Sequence, residues 1–76
     1  MEYELNNDNH LVTLGRWQQQ ALEAGYAGRA SIEAQMVTKF FNRFPGETLT
    51  VHEKNGARTI RDREGNLVSQ MRLSAI

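Results

Sequence analysis

The chain has 76 residues, no net formal charge at pH 7 and no cysteine. This length is enough for one domain with a thin hydrophobic core. Without cysteine, neither a disulfide framework nor a thiolate zinc site can form, and the balanced charge argues against binding that depends mainly on phosphate contacts. The N-terminus lacks the features of a secretory signal, and no apolar run reaches the ~20 residues of a membrane span. We therefore expect a cytoplasmic protein without membrane contact.

The first residues alternate between polar and apolar, which predicts a short edge strand over 2–5 with Tyr3 and Leu5 on one face. The segment from Asn6 to Asn9 predicts a turn, because Asn and Asp side chains hydrogen-bond to nearby backbone groups. The segment from His10 to Thr13 leaves two interpretations open, the return strand of a hairpin or the start of a helix.

Two helices are predicted from apolar residues spaced three and four apart. The first covers residues 14–24, with Thr13 as its N-cap and Gly25 as its C-terminal stop. The second, central helix has Ser31 as its N-cap and ends at Pro45–Gly46. Because the connection between the two helices is short, they should be neighbours in space.

The central helix has an unusually wide apolar face, which covers about 200° of its circumference. A helix that packs on a single neighbour needs about half of this, so we expect packing on both a sheet and the first helix. The spacing places most of these side chains in the core; alternatively, Phe41 and Phe44 are partly exposed at a partner surface. The apolar face comprises Ile32, Ala34, Met36, Val37, Phe40, Phe41 and Phe44.

The periodicity changes to strand-like alternation after Pro45–Gly46. Asn55–Gly56 predicts a two-residue type I′ turn, since both positions of that turn need positive φ. The turn pairs Val51 with Ile60 and His52 with Thr59, and it places Leu49 on the inner face with Val51 and Ile60.

A second turn over 62–66, with Gly65 in the left-handed conformation, leads into a third strand over Leu67–Leu73. Two registers are open for this strand. A bulged turn pairs Ile60 with Val68, whereas a plain two-residue turn directs Leu67, Met71 and Leu73 inward. The chain as a whole is predicted to be an α+β domain, with two helices on a three- to four-stranded antiparallel sheet in the order β-α-α-β-β-β.

Sequence motifs for catalysis are missing. His10 and His52 are far apart and have no metal-binding spacing, and the chain has no nucleophile turn, phosphate loop or dinucleotide motif. Acidic residues fall mostly in turns and on polar faces, where solvated side chains are the norm. We expect a protein that is not an enzyme and has no metal or cofactor.

Two hypotheses for the function follow. The first is a small binding protein, such as an inhibitor or accessory regulator, that contacts a partner protein or a second copy of itself. Aromatic residues are enriched at interface hot spots, and the candidate anchors are Trp17, Tyr26, Phe41 and Phe44.

The alternative is a DNA-binding regulator, because two helices followed by a hairpin resemble the order of elements in a helix-turn-helix with a wing. It would use the central helix and the basic hairpins, and its candidate nucleic-acid contacts are Lys39, Arg43, Lys54, Arg58, Arg61 and Arg63.

Overall fold

The computed structural model describes residues 1–72. Its elements are β1 (Glu2–Leu5), α1 (His10–Ala24), α2 (Ala27–Arg43), β2 (Leu49–Lys54), β3 (Ala57–Arg61) and β4 (Leu67–Arg72). The strands form one antiparallel sheet in the order β1-β2-β3-β4, so β1 and β4 are its two edges. The predicted α+β fold, with two helices and the order β-α-α-β-β-β, is confirmed.

The core lies between the helices and one face of the sheet. Four strand side chains on that face are completely buried: Leu5, Leu49, Val51 and Ile60. They pack with Leu14 and Trp17 of α1 and with Ala34, Val37 and Phe41 of α2. The opposite face of the sheet is polar and largely exposed, which is the usual arrangement for a two-layer antiparallel fold.

The hairpin between β2 and β3 is the one that the sequence predicts. Asn55 and Gly56 have φ values of 54° and 77°, as a type I′ turn requires. Val51 pairs with Ile60 and His52 pairs with Thr59. A two-residue turn fixes the register of the flanking strands, which is why this part of the sheet could be predicted from local sequence alone.

The first helix begins earlier than predicted. The Asn6 side chain accepts hydrogen bonds from the backbone N–H groups of Asp8 and Asn9, and the Asn6 carbonyl accepts one from the His10 N–H at 3.1 Å. These bonds direct the chain into α1 at His10. Of the two interpretations left open for 10–13, the helical one is correct, and Thr13 is a buried helical residue rather than an N-cap.

The end of α1 is as predicted, but the start of α2 is not. Gly25 has a φ of 82°, and the Tyr26 N–H donates to the Ala21 carbonyl at 2.7 Å, which closes the helix end. This turn leads directly into the second helix, which begins at Ala27. Because Ala30 then packs against Ala21, the extra helical turn buries apolar surface, and the predicted N-cap at Ser31 is wrong.

Of the two registers predicted for the third strand, the bulged turn is correct at the turn itself, where the Asp62 N–H donates to the Asn66 carbonyl at 2.9 Å, but its pairing of Ile60 with Val68 is wrong. Ile60 pairs with Ser69 and Arg61 pairs with Leu67, so the strand has a bulge there. Gly65 is left-handed as expected, with a φ of 86°. Beyond the bulge Met71 is buried, as one alternative proposed, whereas Leu67 is exposed and Leu73 lies outside the described residues.

We expect Gly25→Ala to lower the free energy of unfolding by about 1 kcal/mol, because alanine is strained at positive φ. Gly15→Ala is the matched control, since Gly15 lies inside α1 and a Cβ at either glycine would meet no atom within 4 Å. The control should raise the free energy of unfolding by about 0.5–1 kcal/mol through better helix propensity. Urea unfolding followed by circular dichroism measures both; equal effects of the two substitutions would contradict this account of the turn.

Candidate functional site

A charged side chain, Arg58, lies between the sheet and the helices. It is 4% exposed, and its Nε and Nη2 atoms donate to the two carboxylate oxygens of Glu33 on α2, at 2.7 and 2.6 Å. Its guanidinium also lies 3.9 Å from the centre of the Trp17 ring. The ion pair therefore joins β3 to α2, while the aromatic ring from α1 covers it.

The same group of side chains extends to the first two strands. Arg58 Nη1 donates to Glu53 Oε1 at 3.1 Å, and the Tyr3 hydroxyl donates to the same oxygen at 3.0 Å. The Trp17 Nε1 donates to the Tyr3 hydroxyl oxygen at 3.2 Å. We call Tyr3, Trp17, Glu33, Glu53 and Arg58 the buried network; it draws one side chain from each of β1, α1, α2, β2 and β3.

Electrostatics follow from this geometry. Burial by itself lowers the pKa of Arg58, but hydrogen bonds and the charge of Glu33, with a further contribution from Glu53, raise it above its ordinary value. Burial, together with the hydrogen bond to Glu53, raises the pKa of Tyr3 to about 12. The polar groups of the buried network hydrogen-bond to one another, so the network is suited to holding the five elements together.

The two histidines lie on different sides of the protein. The His10 ring is buried, stacks on Phe41 with ring centroids 4.5 Å apart, and has its Nδ1 atom 3.0 Å from the Asn6 carbonyl. His52 is exposed on the open face of the sheet, 3.6 Å from the Glu2 carboxylate. Among residues 1–72 no group of three or more His, Asp or Glu side chains could hold a metal ion.

The predicted aromatic anchors have different environments. Trp17 and Phe41 are buried, because they occupy the helix faces that meet the sheet and the other helix. The interpretation of Phe41 as a core residue is therefore confirmed, and the alternative, its partial exposure, is wrong. Tyr26 is partly buried against Ala21, with the Arg29 guanidinium 4.9 Å from its ring centre. Phe44 is 42% exposed at the end of α2.

The candidate nucleic-acid contacts do not share one surface. Arg58 cannot reach a phosphate from its buried position, so its predicted exposure on the meander is wrong. Lys39 and Arg43 are exposed on α2, whereas Arg61 is opposite Thr50 on the open face of the sheet. The remaining two lie beside turns at opposite ends of the meander, Lys54 next to the β2–β3 turn and Arg63 in the β3–β4 turn, where Arg63 is 3.9 Å from Glu47.

The second helix carries a line of apolar side chains that is largely exposed, although the helical spacing predicted these residues in the core, with partial exposure of Phe44 as the alternative. Ile32 is 64% exposed and Met36 is 43% exposed, and with Phe40 and Phe44 they form a line of every fourth residue that we call the α2 row. Phe40 is the one member of the row that is partly buried against the core. The row follows the side of α2 next to β4. Ile32 lines a cleft with residues 69–72, and Phe40 and Phe44 line another with residues 62–64.

Helical spacing gave no way to identify this exposure, because the residues of the row have the same periodicity as the buried ones. The relevant signal is Glu33, which lies next to Ile32 and faces the core. Ile32 is about 100° from Glu33 around the helix. With the pairing of Glu33 and Arg58 known, Ile32 would have been predicted at the edge of the buried helix face.

Outside the α2 row, α1 also carries exposed apolar side chains. Leu11, Val12 and Leu22 face solvent on the helix that covers the β1 side of the sheet. Leu22 is 63% exposed, nearly the same as Ile32, which makes it a matched control position.

Comparison with known proteins gives no relative. No protein-family model matches the chain, and neither a curated protein nor a solved structure matches it. Neither of the helices within residues 1–72 has the length and apolar character needed to cross a membrane.

We expect Glu33→Ala to lower the free energy of unfolding by about 3 kcal/mol or more, because it leaves the buried Arg58 without its main partner. Glu47→Ala is the control. It removes the carboxylate of an exposed ion pair with Arg63, and it should cost less than about 1 kcal/mol. Urea unfolding of both variants is the measurement, and a loss at Glu33 no larger than that at Glu47 would contradict the role of the buried network.

The raised pKa of Tyr3 predicts a pH dependence. The phenol has an ordinary pKa of 10.0, and the folded value is about 12, so the folded state retains its proton where the unfolded state has lost it. The stabilisation from Tyr3 is therefore complete below pH 10 and is lost as the pH rises through 12. Between these values we expect the wild type to lose more stability than Tyr3→Phe in urea unfolding; parallel curves would count against the hydrogen bond from Tyr3 to Glu53.

Proposed function

We infer that this protein works by binding another protein through the surface that the α2 row forms beside β4. One observation carries this proposal: three large apolar side chains of the row, Ile32, Met36 and Phe44, are exposed in a line on a helix whose other side is in the core. Single exposed apolar residues are ordinary on protein surfaces, whereas an adjoining set on one element is typical of an interaction site.

Burial of this row would contribute favourably to the free energy of binding a partner. Moving a Leu, Ile, Met or Phe side chain from water into an apolar contact is worth about 1.5–3 kcal/mol when the burial is complete. Because the three most exposed members of the row are already partly covered, the gain is smaller for each, but together it corresponds to several factors of ten in affinity. Met36 has a flexible thioether side chain that adapts to a partner surface.

The polar residues around the row fit the margin of an interface. Lys39 and Arg43 are exposed on the same side of α2, and the Arg43 guanidinium is 5.2 Å from the Phe44 ring centre. Long basic side chains can cover apolar surface with their methylene groups while keeping the charge in water. An apolar centre with a charged rim is the usual composition of a protein–protein contact.

The alternative proposal, a DNA-binding regulator, has less support. Phosphate recognition needs several cations on one surface, and the basic residues predicted for it are divided between α2, the open face of the sheet and two distant turns. Arg58, the cation nearest the middle of the meander, is paired with Glu33.

A pair of substitutions tests the proposal. Ile32→Lys places a charge in the α2 row, whereas Leu22→Lys places one on α1 at a position of similar exposure. We expect Ile32→Lys to weaken complex formation, either with a captured and then purified partner or with a second copy, by at least about tenfold, and Leu22→Lys to leave it unchanged. Calorimetry and sedimentation velocity measure these affinities, and circular dichroism confirms that both variants are folded.

A specific combination of results would contradict this proposal. If Ile32→Lys alters no protein complex, while the wild type binds a mixed-sequence duplex with an affinity that falls steeply with salt, the DNA-binding alternative replaces this proposal. Duplex binding that persists in Ile32→Lys and is lost in Arg61→Gln would locate that activity on the sheet.

A further inference from the structure

The turn between β2 and β3 places a reactive dipeptide on an open part of the surface. Asn55 and Gly56 are both exposed, and both have positive φ. In an Asn–Gly pair the backbone nitrogen of the glycine can attack the asparagine side chain readily, because glycine has no side chain to obstruct the approach. No other asparagine of the chain is followed by glycine.

The hydrogen bonds of the structure leave the reacting groups of this pair free. Gly56 lies between the last residue of β2 and the first of β3, so its N–H takes no part in the ladder that joins these strands. Within residues 1–72, neither the Gly56 N–H nor the Asn55 side chain has a hydrogen bond to the protein. The attacking nitrogen and the carbon it would attack are therefore not held by other groups.

The other five asparagines are in more restrained surroundings. Asn42 lies inside α2, where backbone amides bond along the helix. The Asn66 side chain donates to the Asp62 carboxylate at 3.2 Å. In the turn before α1, hydrogen bonds engage the side chains or the following amides of the remaining three, which are Asn6, Asn7 and Asn9. Both the sequence and the contacts thus distinguish Asn55 from the rest.

We propose that Asn55 is a site of spontaneous covalent modification, at which the asparagine converts to isoaspartate and aspartate. The Gly56 nitrogen bonds to Cγ of Asn55 and gives up its proton, and the side-chain nitrogen leaves as ammonia. Water then opens the resulting succinimide ring. Opening at the backbone carbonyl carbon gives isoaspartate, in which the chain continues through Cγ, and opening at Cγ gives aspartate. The modification is independent of the α2 row and of the proposed function.

Ring closure requires the turn to open. In a type I′ turn the first central residue has a ψ of about 30°, whereas the ring needs the Gly56 nitrogen to rotate to the side of the Asn55 Cβ. The turn is the tip of the hairpin, flanked by the Lys54–Ala57 pair, and such tips open locally without unfolding of the domain. We therefore expect conversion in the folded protein, at a lower rate than in a free peptide.

The turn connects this modification to the buried network. Isoaspartate adds one carbon to the backbone of a turn whose two residues set the register of both strands. Glu53 and Arg58 pair immediately beyond the residues that flank the turn, and their side chains are bonded at 3.1 Å in the buried network. A longer turn therefore displaces the strand ends that position these two side chains. Aspartate at the same position keeps the normal backbone and leaves the register unchanged.

Incubation of the folded protein above neutral pH tests the assignment, because the attacking amide loses its proton more readily there. Peptide mapping by mass spectrometry separates the asparaginyl, aspartyl and isoaspartyl forms at each position. We expect isoaspartate to accumulate at Asn55 before it does so at any other asparagine. Asn55→Gly is the control, since Gly–Gly also suits a type I′ turn, and its stability should not change during the same incubation.

A second variant separates the effect of the fold from that of the dipeptide. Leu67→Gly places a glycine after Asn66, whose side chain is bonded to Asp62, and Leu67 is 52% exposed, so the core is left intact. In this variant Asn66 should convert about tenfold more slowly than Asn55, the factor that a hydrogen bond to a charged group supplies. Circular dichroism confirms the fold, and in denaturing urea the two rates should become equal.

The effect on the buried network is measured on the isoaspartyl form, which its added negative charge allows to be separated by ion exchange. Urea unfolding can be followed by fluorescence of Trp17, whose ring contacts the Arg58 guanidinium. The folded-to-unfolded ratio should fall about tenfold for isoaspartate and change by less than about threefold for Asn55→Asp. Conversion of Asn66 in folded Leu67→Gly as fast as that of Asn55, or an isoaspartyl form as stable as the wild type, overturns the proposal.

Discussion

The buried pair of Arg58 and Glu33 is the interaction on which the rest of the arrangement depends. Two charges out of water are tolerated only when each is fully bonded, and here both oxygens of the carboxylate are engaged by one guanidinium. This requirement fixes the rotation of α2 on the sheet. Turning the helix by the ~100° that would bury Ile32 would move Glu33 to the surface and leave Arg58 unpaired. The exposed α2 row is thus a consequence of the ion pair.

The buried network also explains how so small a core keeps a defined shape. Tyr3 and Glu53 connect the pair to the first two strands, and Trp17 packs over the guanidinium from α1. Each of these side chains has a polar atom with only a few acceptable positions, so the network specifies where the helices sit. Apolar contacts alone between Leu, Val and Ala would allow several similar packings.

Features that depend on a few neighbouring residues could be predicted from the sequence. Features that depend on contacts between distant parts of the chain could not. Asn55–Gly56 and Gly25 were interpreted correctly because positive φ is a property of a few residues. The early start of α2 was missed because Ala30 becomes favourable only once it meets Ala21 and Met71 from other elements. The bulged turn at Gly65 was among the predicted alternatives, but the further shift at Val68 was missed for a similar reason, since it places Met71 against Ala21 and Ala30.

The candidate site shows the same contrast between local features and long-range contacts. Periodicity placed Ile32, Met36 and Phe44 on an apolar arc, but the arc was too wide for spacing alone to determine which part faces the sheet. The Glu33–Arg58 pair, which joins residues 25 positions apart in sequence, settles the orientation. The same pair keeps Arg58 in the interior, whereas the sequence had placed it among the basic residues of the meander. Of the side chains that were expected as anchors, Phe44 is exposed with Ile32 and Met36 beside it, whereas Trp17 and Phe41 are buried.

The paired strands of the sheet are separated by very different lengths of chain. The strands β2, β3 and β4 each pair with their sequence neighbour, whereas β1 reaches β2 only after both helices have been traversed. Closing so long a loop costs more chain entropy than forming adjacent hairpins, so we expect the meander to form before β1 docks. Until it does, the edge of β2 that carries Val51 is open to any extended segment nearby. With this order of events, the time that β1 needs to dock, and not only the stability of the finished fold, would determine how long a newly made chain exposes that edge.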